Sequence, residues 1–263
     1  MFRLILTLPI LLGTAVMALP AADPPANAED AKLAKMFREW LDEEFKLHPM
    51  FATQQGNHDY DDRMDDLFPK ARKRERDRIL ETMMLLNSLK RNELSRNSQI
   101  DAAIWVHSIK NGIWSEENDN RFEFDPRAYG EYISDSVFLL FTQSTLSRER
   151  NVQNAARRIA AIPKVIEAAK ASLKNPPKIL TEVAMKRNLG AIAFYEKDIY
   201  EFAKETPGSE PLGTPCRAAV KALKEYQTWL EKDLLPRSTG EWRLGKEKFA
   251  KKLELELDAG LTA

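Results

Sequence analysis

The chain has 263 residues, with 40 Lys plus Arg against 40 Asp plus Glu, and one cysteine. Its charges are scattered along the chain, whereas a nucleic-acid surface needs a basic stripe. A single cysteine excludes an internal disulfide and a cysteine-based metal cluster.

Met1-Phe2-Arg3 supplies one positive charge, and Leu4 to Ala18 is a run of apolar and small residues. That layout predicts a secretory signal peptide over residues 1–18, cut after Ala18. Its roughly 15 apolar residues fall short of the ~20 that span a bilayer. With no cysteine following, a lipid anchor is not expected. The chain is therefore expected to be exported, periplasmic or extracellular, and free of the membrane once the signal is removed. Residues 19–29 read as a flexible leader, and 30–263 as one helical domain.

Leu33, Met36, Phe37, Trp40, Leu41 and Phe45 give one apolar face over Asp30–Leu47, and His48-Pro49 stops that helix. Met50–Pro69 reads as a long loop with a short turn of helix at Phe51–Gln54. A helix over Lys70–Leu89 turns Ile79, Leu80, Met83, Leu86 and Leu89 to the core. The next starts at Ser98, an expected cap with Asp101 three residues on. It carries Ile100, Ala103, Ile104 and His107 on one face and Trp105, Ile109 and Ile113 on another, so it should lie deep in the fold. Arg121–Tyr129 reads as irregular, with Phe122 and Phe124 a hint of strand alternation.

Residues 130–143 predict a buried helix. Val152, Ala155, Ile159, Ile162, Ile166, Ala169 and Leu173 then form a seam for antiparallel packing. Pro163 predicts a kink or a fresh helix start. After Asn175-Pro176-Pro177, Met185, Leu189, Ile192, Ile199 and Phe202 align on another helix. Glu205–Thr214 is a loop. Thr214-Pro215 caps a helix bearing Val220, Leu223, Gln227, Leu230 and Leu234, closed by Pro236. A final helix is expected around Lys246–Leu257. The fold class is all-α, an irregular bundle of about seven to nine helices.

Motifs for catalysis are missing. The three histidines, His48, His58 and His107, include no pair at helical spacing, so no zinc ligand is assigned. There is no Gly-x-Ser-x-Gly elbow, phosphate loop or dinucleotide fingerprint. One segment has chemical potential: His58, Asp59, Tyr60, Asp61 and Asp62 follow Gly56-Asn57. An imidazole and three carboxylates could meet a cation or a basic substrate; the plainer reading is a solvated turn. His48 is expected to cap the last carbonyls of its helix, His107 to be a satisfied core histidine, and Cys216 to be simply packed. The five tryptophans, spread over separate elements, suit core packing.

Several phrases together carry a resemblance. They are His48-Pro49 with Phe51-Ala52-Thr53, Gly56 to Asp62, Ile100-Asp101 and Phe124-Asp125-Pro126. Further on come Arg158 to Pro163, Leu173 to Pro177 with Thr181-Glu182, and Arg243-Leu244-Gly245 with Lys248-Phe249. In that order they resemble the N-terminal half of the bacterial domain-of-unknown-function 885 family, over about residues 30–260.

The resemblance implies a chain that is one half of a larger, two-lobed helical fold similar to zinc-dependent peptidases. Zinc and its His-Glu-x-x-His-like motif would belong to a C-terminal half missing here, and this half would form one wall of the substrate cleft, with His58–Asp62 as its candidate contacts. Asp258 to Ala263 then reads as a helix exit with Thr262 capping a further element. Two readings follow. One is a non-catalytic, truncated N-terminal portion whose partner is a separate or missing C-terminal half. The other is a stand-alone exported helical module that binds a peptide or another exported protein.

Overall fold

A computed structural model describes residues 27–257 except 205 and 207–209. The expected signal peptide, most of the leader, part of the Glu205–Thr214 loop and the exit with Thr262 lie outside the described residues. Those described form helices and connecting turns, with no strand. In order they are α1 (Ala28–Leu47), α2 (Pro49–Gln54), α3 (Pro69–Asn87), α4 (Arg96–Asn118), α5 (Arg121–Phe124) and α6 (Arg127–Thr142). Then come α7 (Arg148–Ser172), α8 (Lys178–Ala193), α9 (Ile199–Phe202), α10 (Gly213–Trp229) and α11 (Lys246–Leu257). A wider π turn follows α8 at Phe194–Asp198, and another follows α10 at Leu230–Leu234. Eight of these helices have 12 or more residues, in keeping with an all-α bundle of the expected size. Among the described residues, no helix is long and apolar enough to cross a membrane.

The main core is built on the α7 seam. Val152, Ala155, Ile159, Ile162 and Ala169 are fully buried and Ile166 and Leu173 nearly so, against α6 on one side and α10 on the other. Pro163 neither restarts nor ends the helix; it lies inside one continuous α7. A smaller core joins Leu33 of α1, Leu86 of α3, and Ala102, Trp105, Val106 and Ile109 of α4. The two cores stand side by side.

Several expectations are corrected. α1 begins at Ala28, two residues into the expected leader, because Asn27 caps it by accepting from Asp30 N at 2.9 Å. The buried Glu29 and Asp30 carboxylates accept from Lys90 N (3.2 Å) and Ser95 N (2.9 Å), tying that end to the turn before α4. α4 is capped by Ser95, three residues before Ser98. Its Ile100/Ile104 face is open, 42% and 60% exposed, and is only partly covered by α11. On α3, Leu80 points outward. Arg121–Phe124 is a turn of helix and shows no strand. α10 starts at Gly213 with no side-chain cap, so Thr214 lies inside its first turn.

The largest discrepancy lies on α8, where Leu189 is 55% exposed. The buried stripe is Thr181, Ala184, Asn188, Ala191 and Ile192, of which the hydropathy pattern marks only Ile192. Its polar members are satisfied. Asn188 Nδ2 donates to Leu223 O and Gln227 Oε1, each at 3.0 Å, and Thr181 shares a 2.9 Å bond with Ser238.

Residues 237–240 clamp onto the turn after α7. Thr239 N donates to Asn175 Oδ1 at 2.9 Å, and Gly240 N to Pro176 O at 3.2 Å. A Cβ on Gly240 would sit 2.3 Å from the Asn175 carbonyl oxygen. Gly240→Ala is therefore expected to cost about 1–2 kcal/mol, since the backbone must move apart. An unchanged urea midpoint would contradict that close approach.

Candidate functional site

Between the two cores lies a cleft of about 680 Å³, within the roughly 300–1,000 Å³ of small-molecule sites. α3 forms one wall. The other parts come from the α1–α2 junction, the loop before α3, the C-terminal end of α4, α5 and α6. Leu47, Leu67, Ile79, Ile113 and Phe122 give it apolar ground.

The junction exists because Pro49 cannot continue α1 and instead opens α2 as its first residue. His48 is left at the corner. It caps α1 as the sequence suggested, but through its backbone N–H, which donates to Glu44 O at 2.8 Å; its ring meets three carboxylates. Nδ1 lies 3.4 Å from Asp65 Oδ2, and Nε2 lies 3.7 Å from Glu44 Oε1 and 3.9 Å from Glu75 Oε1. Burial pushes the imidazolium down, but Asp65, Glu75 and Glu44 outweigh it and hold the ring up at about 10. Burial likewise raises the Glu75 carboxyl, and His48 and Arg78 bring it down to about 2. Asp65 is fixed by Met50 N donating at 3.3 Å, while its own N–H donates to the Tyr132 hydroxyl at 2.5 Å. Burial raises the Tyr132 hydroxyl beyond its ordinary range.

Glu44, His48 and Glu75 bring ligand atoms within 4.8 Å of one another. The Arg78 guanidinium bonds both glutamates, Glu75 at 2.5 and 3.1 Å. With a cation already bridging the carboxylates, this donor set does not fit a zinc ion, and no zinc chemistry is assigned to it.

The remaining charges on the cleft wall are paired in turn. Arg74 meets Asp66 at 3.6 Å and Arg76 meets Glu116 at 3.2 Å. Asp119 pairs with Lys252 of α11, Arg121 with Glu131, and Glu43 with Lys46 at 3.3 Å. Arg72 has no carboxylate within 4.0 Å among the described residues. It donates to Leu67 O at 2.6 Å and to Ser172 Oγ at 3.3 Å, with its guanidinium carbon 5.8 Å from the centre of the Phe122 ring.

The segment singled out in the sequence, His58 to Asp62, lies beside this cleft and does not line it; the same loop reaches it only at Asp65–Leu67. Asp61 is no solvated turn residue. Its side chain is fully buried, accepting from Thr53 Oγ1 at 2.5 Å and facing the fully buried Arg158 at 3.7 Å. Arg158 donates to Ser136 O (2.5 Å), Pro49 O (3.2 Å) and Thr53 Oγ1 (2.7 Å), joining α2, α6, α7 and the loop. Burial lowers the guanidinium against the opposing pull of Asp61.

His58 Nδ1 lies 2.9 Å from Asp61 Oδ2. Thr145 N can only donate to His58 Nε2, at 3.4 Å, which puts the ring proton on Nδ1. Asp62 pairs with Arg157 at 2.9 Å, Tyr60 lies under Arg63, and Asp59 is exposed.

Sequence reasoning missed the His48 cluster and Arg158. Arg158 did leave a signal: it falls between Ala155 and Ile162 on the apolar seam, where a lone charge has to find buried partners. His107 is satisfied as expected, Nε2 lying 2.7 Å from Leu255 O, though under α11 and outside the main core. Cys216 is packed, and burial raises its thiol. Trp105 is in the smaller core, with Trp40 edge-on at 5.7 Å, and Trp229 stacks on Tyr226. Trp242 is 58% exposed, against the core role expected of it.

A family model for bacterial proteins of unknown function, DUF885, matches residues 49–263. Among solved structures, a candidate lipoprotein of unknown function from Shewanella oneidensis is similar, with a TM-score of 0.77 at 19% identity over 88% of this chain. The chain spans 43% of that protein's length, and the likeness is one of fold. No curated protein matches.

Proposed function

The chain belongs to the DUF885 family of bacterial proteins, and from that premise we propose that it is the N-terminal, cleft-wall portion of an exported metallopeptidase-like protein. On this reading the chain does not hydrolyse peptides alone; the zinc and its ligands belong to a C-terminal half. The observation that carries it is the cleft between the two helical cores, open to a ligand and lined by charged groups held in place by pairing. The shared fold with a protein more than twice as long is consistent with this.

His58–Asp62 acts as the outer edge of that wall, held by Asp61. The test is made in a full-length relative, on the residues aligned with His58 and Asp62. Alanine at both is expected to lower turnover at least ten-fold while thermal unfolding stays within a few degrees. Unchanged turnover would remove the segment from the substrate path.

A stand-alone binding module is favoured by a different observation, the closure of the main core within this chain, with the α7 seam wholly covered. Intact mass of the native polypeptide separates the two readings. A species near twice the 30.1 kDa of this chain supports the first, and one near 30.1 kDa less a signal peptide supports the second.

A further inference from the structure

Charge pairing on the cleft wall leaves one group over. Four arginines of the wall, Arg74, Arg76, Arg78 and Arg121, each meet a carboxylate, and so does His48. Each acid of the wall likewise meets a cation. Arg72 is the exception among the described residues. Its guanidinium is nonetheless held still, by the Leu67 carbonyl and the Ser172 hydroxyl, beside the Phe122 ring. Those bonds use three of its five N–H groups; the Tyr129 hydroxyl also interacts with the guanidinium, and no carboxylate among the described residues takes the Nε–H or the second Nη2–H. A fixed planar fork with spare donors is the group that recognises a carboxylate.

We propose that Arg72 is the anion anchor of this cleft, and that the cleft takes an organic monocarboxylate with an apolar body lying along Ile79, Ile113 and Leu47. The sources of such a group include the C-terminus of a peptide ending in apolar residues and a fatty acid. The inference deepens the peptide-cleft reading, and rests on it only for the choice of the peptide.

A paired measurement of binding tests this on the full chain, by calorimetry at low salt. The probes are N-acetyl-Leu-Phe as free acid and as C-terminal amide, with decanoate and decanol as the second pair. The free-acid peptide is expected to bind at least ten-fold tighter than its amide. Arg72→Gln should reduce that preference to within two-fold, and Arg72→Lys should keep part of it, with both variants unfolding in urea as the parent does. Equal binding of acid and amide would overturn the anchor and leave the peptide reading standing. An acid preference that survives Arg72→Gln would also overturn it. Selective binding of decanoate alone would support the anchor and count against the peptide. Binding of none of the four probes would overturn both.

Discussion

Asp61→Ala is expected to lower the unfolding free energy by about 3–5 kcal/mol, the range for removing one partner of a buried ion pair. The loss exceeds that of the contact itself, because the Arg158 guanidinium stays behind. It is fully buried, and among the described residues Asp61 is its only carboxylate within 4.0 Å. The Thr53 hydroxyl would also lose its shorter acceptor and keep only Pro49 O at 3.0 Å. Asp61→Asn keeps an acceptor oxygen and should cost less. The double variant Asp61→Ala with Arg158→Met should recover much of the loss, since a similar apolar volume carries no desolvation penalty. Urea denaturation of the parent, Asp61→Ala, Arg158→Met and the double variant reads the coupling. A loss below about 1 kcal/mol for Asp61→Ala would mean that solvent reaches Arg158 and that the buried pair is not what holds the loop.

Stability should also depend on pH through the corner where α1 meets α2. His48 is held at about 10 in the fold against 6.5 as a free group. Its contribution is therefore fully present below about pH 6.5 and is lost as pH rises towards 10. Glu75 runs the other way. Held at about 2 against 4.5, it stabilises above about pH 4.5 and loses that effect as pH falls towards 2. Together they place the corner's greatest stability at about pH 4.5–6.5. A third of the His48 side chain is exposed, so solvent screening reduces its effect to about 2–3 kcal/mol. The urea midpoint should fall from pH 6 to pH 10 in the parent and much less in His48→Gln. Parallel profiles would mean that His48 titrates at its ordinary value.

The site was less legible than the fold. The sequence shows that His48 stands before a proline and that Arg158 interrupts an apolar stripe. It could not show that Glu44, Asp65 and Glu75, which come from two helices and a loop, converge on one imidazole. Nor could it show that Asp61, four residues before Asp65 in the same loop, turns inward while Asp59 stays in water. Each carboxylate has the same local propensity, and which of them finds a cation depends on neighbours distant in the chain. That Arg72 is the one guanidinium of the cleft wall with no carboxylate among the described residues emerges only after every other partner has been placed.

By itself the sequence determined the helical class, the α7 seam, the break at His48-Pro49 and the last helix at Lys246–Leu257. A 3.6-residue period and a proline act within one or two turns and need no tertiary partner to be read. Tertiary structure decided which of two apolar faces α4 would bury and why Leu189 lies outside while Asn188 lies within. It also decided that the cores would leave a cleft between them. Burial is settled between elements: Trp105 finds α1 where Ile104 stays 60% exposed, and Asn188 can go inside because the Leu223 carbonyl and Gln227 wait there to satisfy it.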